Sequence, residues 1–262
     1  MTLHEAMRLF GGRLKAVRRS IAVAADFVSP RICAACETAL KPGREMELCQ
    51  DCLAQAEYLE PPYCIKCGDG FSVAAEADRE RLAGRTCSNC RRAEPAFTLA
   101  RAAFRYEGRV RRAIQALKFG GRKSLVRTFS AMMQSRISCL SCAAQGVDEM
   151  TAVPLGKSRE RERGYNQSLL LARSLAPILG LKAPVTLLRK TRTTPPQVGL
   201  DREERLLNVR NTFEIEKGAQ VEGKVVLLVD DVMTTGATVS ECARVLSKAG
   251  ASEIRVLAAA RG

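Results

Sequence analysis

Apolar and polar positions in this chain follow two different periods. Val225 to Val229 is an unbroken apolar run, the pattern of a strand buried on both faces of a parallel sheet. Beyond it, Val239, Cys242, Ala243 and Leu246 recur at the i, i+3, i+4, i+7 spacing of an amphipathic helix. Thr238 with Glu241 predicts a capping box at the start of that helix, and Gly250 suits its end. Met150 to Val153, closed by Pro154, and Ile254 to Ala260 read as two further strands, and a helix is expected from near Asn166. Val110, Ala113, Ile114 and Leu117 mark the buried face of another helix, with Arg111, Arg112 and Lys118 on its opposite side. These patterns predict an open α/β sheet in the carboxyl-terminal part of the chain.

The amino-terminal part lacks such periods. Cysteines punctuate it as four Cys-x-x-Cys pairs: Cys33/Cys36, Cys49/Cys52, Cys64/Cys67 and Cys87/Cys90. Two thiolates on a tight turn take two corners of a tetrahedron, so two pairs complete a structural zinc site with Zn–S contacts of about 2.3 Å. Eight cysteines therefore imply two zinc ions. The only histidine is His4, outside the cluster, so each site must be all-cysteine and offers no open position for catalysis. Sequential pairing, Cys33/Cys36/Cys49/Cys52 and Cys64/Cys67/Cys87/Cys90, is preferred over an interleaved cross-brace. A disulfide framework would need an oxidising compartment, and the chain offers no convincing export signal. Cytoplasmic localisation is expected. A module this small and poor in large apolar groups needs such cross-links to fold, whereas the region after it should have a core of its own. Cys139, Cys142 and Cys242 read as ordinary core thiols.

Residues 1–28 mix arginines and a lysine with a short apolar core broken by Asp26, and are expected to form an amphipathic helix rather than a targeting segment. No segment reaches the roughly eighteen consecutive apolar residues of a membrane span.

The chemistry concentrates after the 225–229 strand. Asp230 and Asp231 stand at its carboxyl end, followed by Thr234-Thr235-Gly236-Ala237-Thr238 before the helix. Such a loop directs backbone N–H groups and a positive dipole end at an anion, most naturally phosphate. The acids offer acceptors for sugar hydroxyls or a hydrated magnesium ion. The string resembles the signature of the type I phosphoribosyltransferases. That resemblance implies that Asp230 and Asp231 hold the ribose hydroxyls of 5-phosphoribosyl 1-diphosphate (PRPP) and that residues 234–238 grip its 5-phosphate.

Charge follows the same division. Of 42 Lys/Arg and 28 Asp/Glu in the 262 residues, 28 and 15 lie in residues 96–262. That excess favours polyanionic ligands. Its densest run, Arg101 to Arg127, includes Arg109, Arg111, Arg112 and Lys118, which are either nucleic-acid contacts or a solvated helix face. A second basic stretch, Leu155 to Gln167, follows the strand ending at Pro154; Lys157, Arg161 and Arg163 could neutralise a diphosphate, or the stretch could be an exposed turn. The segment Leu188 to Phe213, with Thr194-Pro195-Pro196-Gln197, is either a surface hairpin linker or, as the resemblance to phosphoribosyltransferases implies, a flexible lid over bound PRPP, with Gln197 its best polar candidate.

The order of these pieces is similar to that of the ComF family, competence-associated proteins with a phosphoribosyltransferase-like domain: a cysteine cluster, Val153-Pro154-Leu155, Arg163-Gly164-Tyr165-Asn166-Gln167, Thr194-Pro195-Pro196-Gln197 and the ribose-phosphate motif. The resemblance implies a type I phosphoribosyltransferase-like fold over 96–262 behind a double zinc ribbon over 29–95. It also implies a pyrophosphate loop over Pro154, Leu155 and Lys157, with Arg163, Asn166 and Gln167 in the PRPP site and Mg2+ accompanying the ligand. Two functions follow as expectations: a PRPP-binding factor that handles single-stranded DNA with DNA-uptake proteins, or an active phosphoribosyltransferase on an unidentified base or nucleotide.

Overall fold

A computed structural model describes residues 30–72, 76–192, 204 and 208–262. The helix expected over 1–28 lies outside these residues, as does Gln197.

Four strands form one parallel sheet in the order β1 (Leu99–Arg105), β6 (Glu253–Arg261), β5 (Val225–Met233) and β2 (Glu149–Ala152). Val226 to Val229 are fully buried, as an apolar run covered on both faces requires. Two helices follow β1, α4 (Gly108–Phe119) and α5 (Leu125–Gln134), and then α6 (Ile137–Ala144) leads into β2. After β2 come α7 (Lys157–Arg163) and α8 (Gln167–Leu175), while α9 (Ala237–Lys248) connects β5 to β6. A separate antiparallel pair, β3 (Leu188–Lys190) with β4 (Phe213–Ile215), is the described stem of the 188–213 segment.

The end of α9 matches the expectation for Gly250. With φ at +94°, Gly250 donates its N–H to Ser247 O while Ala251 donates to Leu246 O, the paired bonds of a Schellman turn. The start of α9 differs from the expected capping box. Gly236 is the cap, with φ at +79° and no side-chain cap bond. Glu241 instead accepts the Asn211 N–H at 2.7 Å and the Arg244 guanidinium at 2.6 and 2.8 Å, tying α9 to the segment before β4.

The cysteine-rich region forms short knuckles around α1 (Gln50–Ala54), α2 (Glu76–Leu82) and α3 (Ser88–Arg92). It is not a separate appendage. Leu59 N–H donates to Ala103 O and Arg105 N–H to Glu57 O, both at 2.9 Å, so residues 57–59 add an antiparallel segment to the free edge of β1. An exposed parallel edge would be a template for unwanted pairing, and this segment covers it. Cys33, Leu48 and Cys52 share one apolar cluster with α4 and α5, and Cys64, Cys67 and Cys90 share a second with β6 and α9. Downstream residues make up most of both clusters, and the ribbons add to each of them.

Cys242 is fully buried as expected, but Cys142 is exposed on α6. Among the described residues no helix is long and apolar enough to cross a membrane.

Candidate phosphate-sugar crevice and zinc sites

The thiols gather in the sequential pattern. Sγ atoms of Cys33, Cys36, Cys49 and Cys52 lie within 4.8 Å of one another, as do those of Cys64, Cys67, Cys87 and Cys90. Cys36 and Cys49 are 3.6 Å apart and Cys67 and Cys87 3.7 Å. A tetrahedron with 2.3 Å legs has edges of about 3.8 Å, whereas a disulfide needs about 2.05 Å. Backbone N–H groups of Cys49 and Cys87 approach the Cys33 and Cys64 sulfurs at 3.3 and 3.2 Å, which favours thiolates. Both sites fit a structural zinc ion.

The two knuckles repeat one backbone design. Cys33 N–H donates to Thr38 O and Cys64 N–H to Asp69 O, and the chain turns through positive φ at Glu37 (+64°) and Gly68 (+68°). Only the second position lacks space, because a Cβ on Gly68 would lie 2.6 Å from Ala100 O. Glycine is required where the second ribbon presses on β1.

At the carboxyl end of β5, Asp230 and Asp231 are 7% and 4% exposed. The sequence suggests solvent-facing ligands, but neighbouring elements roof them over. Asp230 Oδ1 accepts from Ser168 Oγ and from Asp231 N–H, both at 2.9 Å. Burial, and then the charge of Asp231, pushes the Asp230 carboxyl up to about 7. Asp231 Oδ2 lies 3.1 Å from Lys118 Nζ, an ion pair without a hydrogen bond's angles. Burial works against the charged ammonium, but Asp231 and Asp230 outweigh it and the Lys118 pKa is raised.

Helix α4 brings Lys118 there. It starts just after β1 at the carboxyl edge of the sheet and ends beside Asp231 at the same edge. Val110, Ala113, Ile114 and Leu117 are buried as the period requires, and Lys118 itself reaches the acids rather than solvent. Of the other residues grouped with it, Arg109 Nε donates to Gln55 Oε1 at 3.1 Å and Arg112 approaches Ala35 O at 3.5 Å. Arg111 is exposed.

The segment after β2 is chiefly a clamp. Gly164 ends α7 in the left-handed region with φ at +75°. Tyr165 is buried and its hydroxyl donates to Leu117 O on α4. Asn166 caps α8, accepting from Ser168 and Leu169 N–H at 3.0 and 3.2 Å, and donates to Val153 O at 3.0 Å. This motif locks β2, α4 and α8 together and delivers Ser168 to Asp230. Arg163 donates to buried Gln167, lies over the Phe119 ring at 5.3 Å and feels the charge of Asp231.

Pro154 and Leu155 are half-buried between β2 and α7, and Lys157 is exposed. Lys190 at the end of β3 runs close to Gly156, where an added Cβ would lie 3.7 Å from its Cδ, and its pKa is lowered by burial and by Arg159. Two cations close to this loop make a place for an anion. Thr234, Thr235 and Thr238 are half-buried around the Gly236 turn, and Ala237 is buried. The turn and the acids share one edge of the sheet, the position where open α/β folds receive ligands.

Sequence reasoning missed Ser168 and Lys190 altogether and put Lys118 on the wrong surface. Each sits on an element whose period reveals its buried side but not what stands opposite its polar side.

Comparison with known proteins agrees with this arrangement. A phosphoribosyl transferase domain model matches residues 166–262, and a double zinc ribbon domain model matches residues 24–91. Competence protein F of Haemophilus influenzae is 29% identical over 217 residues, covering 82% of this chain and 90% of that protein. DNA utilization protein YhgH of Escherichia coli is 28% identical over 229 residues, covering 87% and 95%. Competence protein ComFC of Bacillus subtilis is 28% identical over 222 residues, covering 80% and 81%. With relatives aligned along most of its length, the chain is a homologue of the competence proteins F and ComFC and of YhgH, with a type I phosphoribosyltransferase domain and a double zinc ribbon at its amino-terminal end.

Proposed function

We propose that the crevice at the carboxyl edge of the sheet binds PRPP. The observation that carries this reading is the buried pair Asp230 and Asp231 beside the Gly236 turn, which opens α9 without a side-chain cap. The acids would accept the ribose hydroxyls, and the first N–H groups of α9 with Thr234, Thr235 and Thr238 would take the 5-phosphate. Lys190, Arg159 and the Pro154–Lys157 loop would face the diphosphate, with Arg163 and Gln167 between the two ends. Magnesium would arrive as the counter-ion of the diphosphate. Gln197, outside the described residues, is proposed for the lid.

Calorimetric titration of PRPP into the wild type and into Asp230→Asn/Asp231→Asn tests the site. Loss of binding with an unchanged circular dichroism spectrum is expected. Near-native affinity in the double variant would remove the acids from the site.

The relatives' names, competence and DNA utilization proteins, support a wider role in handling DNA, and the reading extends to a cytoplasmic factor for incoming single-stranded DNA that works with uptake proteins, with PRPP as its ligand. Phosphate neutralisation by Arg111 and Arg112 should make log affinity fall with log salt at about −0.7 per contact. Arg111→Ala/Arg112→Ala should flatten that slope by about one unit. An unchanged slope would leave the charge excess as solvated surface. The second reading, an active phosphoribosyltransferase, is supported by Lys118 and Arg163, cations close to Asp231 at the proposed ribose subsite, where charge develops in transfer. Pyrophosphate release from PRPP against a panel of bases and nucleotides separates the two.

A further inference from the structure

Arg261, the last residue of β6, is 6% exposed and makes its contacts in two directions. One guanidinium nitrogen donates to Met233 O at 3.0 Å and to Gly262 O at 2.6 Å. Met233 is the residue immediately before the 234–238 loop. The other terminal nitrogen faces the second ribbon, 3.9 Å from Cys67 Sγ and 3.7 Å from Asp69 Oδ2. A zinc ion held by four thiolates keeps a net charge of about −2, so that side of Arg261 faces a concentrated negative charge.

Two further contacts join the same parts. Ser240 Oγ, in the first turn of α9, accepts the Ala96 N–H at 3.1 Å, four residues after α3 ends. A small cavity of about 70 Å³ lies between the ribbon and the loop, bordered by Cys67, Asn89, Cys90, Thr235, Gly236 and Arg261. By contrast, the first ribbon meets α4 and α5, through Arg112 with Ala35 O, Arg122 with Ile32 O at 2.7 Å and Glu47 N–H with Thr128 Oγ1 at 3.0 Å.

We propose that Arg261 is a positioning residue through which the second zinc ribbon sets the shape of the 234–238 loop, so that zinc in the Cys64/Cys67/Cys87/Cys90 site and phosphate in the loop strengthen each other's binding. This rests on the phosphate reading of that loop. The physical cause is a buried cation with two tethers. With zinc present, the tetrathiolate balances the guanidinium and fixes its plane, which holds Met233 O and the start of the loop. Without zinc, the knuckle that carries Cys67 and Asp69 is no longer fixed, and that side of the Arg261 strut loses its anchor. Coupling between binding sites is reciprocal, so a phosphate ligand must in turn retain the zinc.

The test uses the full-length zinc-loaded protein and ribose 5-phosphate as the probe. Calorimetry should give about ten-fold weaker binding for Arg261→Ala, partial recovery in Arg261→Lys, and two zinc ions per chain in all three proteins. Zinc transfer to a chromophoric chelator should be biphasic in the wild type. Saturating ribose 5-phosphate should slow one phase several-fold and leave the other unchanged, and Arg261→Ala should remove that protection. Wild type and Arg261→Ala binding ribose 5-phosphate equally, or both zinc phases ignoring the ligand, would overturn the strut while leaving the phosphate site intact. A wild type that binds neither ribose 5-phosphate nor PRPP would overturn the phosphate reading and the coupling with it.

Discussion

The Lys118 ammonium stands 3.1 Å from Asp231 Oδ2, joining the end of α4 to the end of β5. Both side chains are largely withdrawn from water, 20% and 6% exposed, and Asp230 lies next to them with its own carboxyl buried. A sheet edge that concentrates two acids needs a local cation, and α4 supplies it from a part of the chain remote in sequence. Ligand hydroxyls approaching Asp231 therefore meet an acid already charge-balanced.

Removing the cation should expose that dependence. Lys118→Met is expected to lower stability by about 3 kcal/mol at pH 8, because it leaves a buried carboxylate unpaired. In an Asp231→Asn background the same substitution should cost far less. Urea unfolding of the four proteins gives the coupling energy directly, and additive effects would show that the pair contributes nothing.

Asp230 should make stability fall as pH rises. Its carboxyl, near 3.8 ordinarily, is pushed up to about 7 by burial and then by Asp231. Between those values the native state holds a proton that the unfolded chain has lost, so stability is lost as pH rises through that window. Asp230→Asn keeps an acceptor for Ser168 and removes the titration. Its melting temperature should exceed that of the wild type by a margin that grows from pH 5 to pH 7 and then levels. A constant margin would contradict the assignment.

Zinc removal should reach beyond the ribbons. Metal analysis is expected to give two ions per chain. Because residues 57–59 pair with β1 and Cys33 and Cys52 share a cluster with α4, chelation should increase amide hydrogen exchange in β1 and α4. Unchanged protection there would mean that the downstream sheet stands alone.

The two knuckles make a matched pair for substitution. Gly68→Ala places a Cβ 2.6 Å from Ala100 O at φ +68° and should cost about 2–4 kcal/mol, with weaker zinc retention at the second site. Glu37→Gly at the equivalent turn, with φ +64° and an exposed side chain, should be neutral or slightly stabilising. Thermal unfolding with a zinc-release assay compares them.

Much of this protein is legible residue by residue. The Cys-x-x-Cys spacings determine that two tetrathiolate sites form, because each pair presets two ligand positions on one turn, and the fold decides which pairs share each site. The apolar run Val225 to Val229 and the period of Val239, Cys242, Ala243 and Leu246 determine a strand, a loop and a helix around Asp230 and Asp231, because burial on one or two faces imposes those patterns. Gly250 marks its turn because its positive φ favours glycine. What the tertiary structure alone decides is which polar groups meet. Lys118 reads as surface from the period of α4, yet the end of that helix lies at the carboxyl edge of the sheet and brings Lys118 to Asp231. Thr238 and Glu241 have the spacing of a capping box, but Asn211 and Arg244 offer Glu241 stronger partners. Arg163-Gly164-Tyr165-Asn166-Gln167 looks like a ligand loop and also clamps β2 to α4 and α8. Local sequence sets backbone conformation through short-range sterics and burial. The partners of a charge depend on Coulomb interactions at a few ångströms, between side chains that only the complete fold brings together.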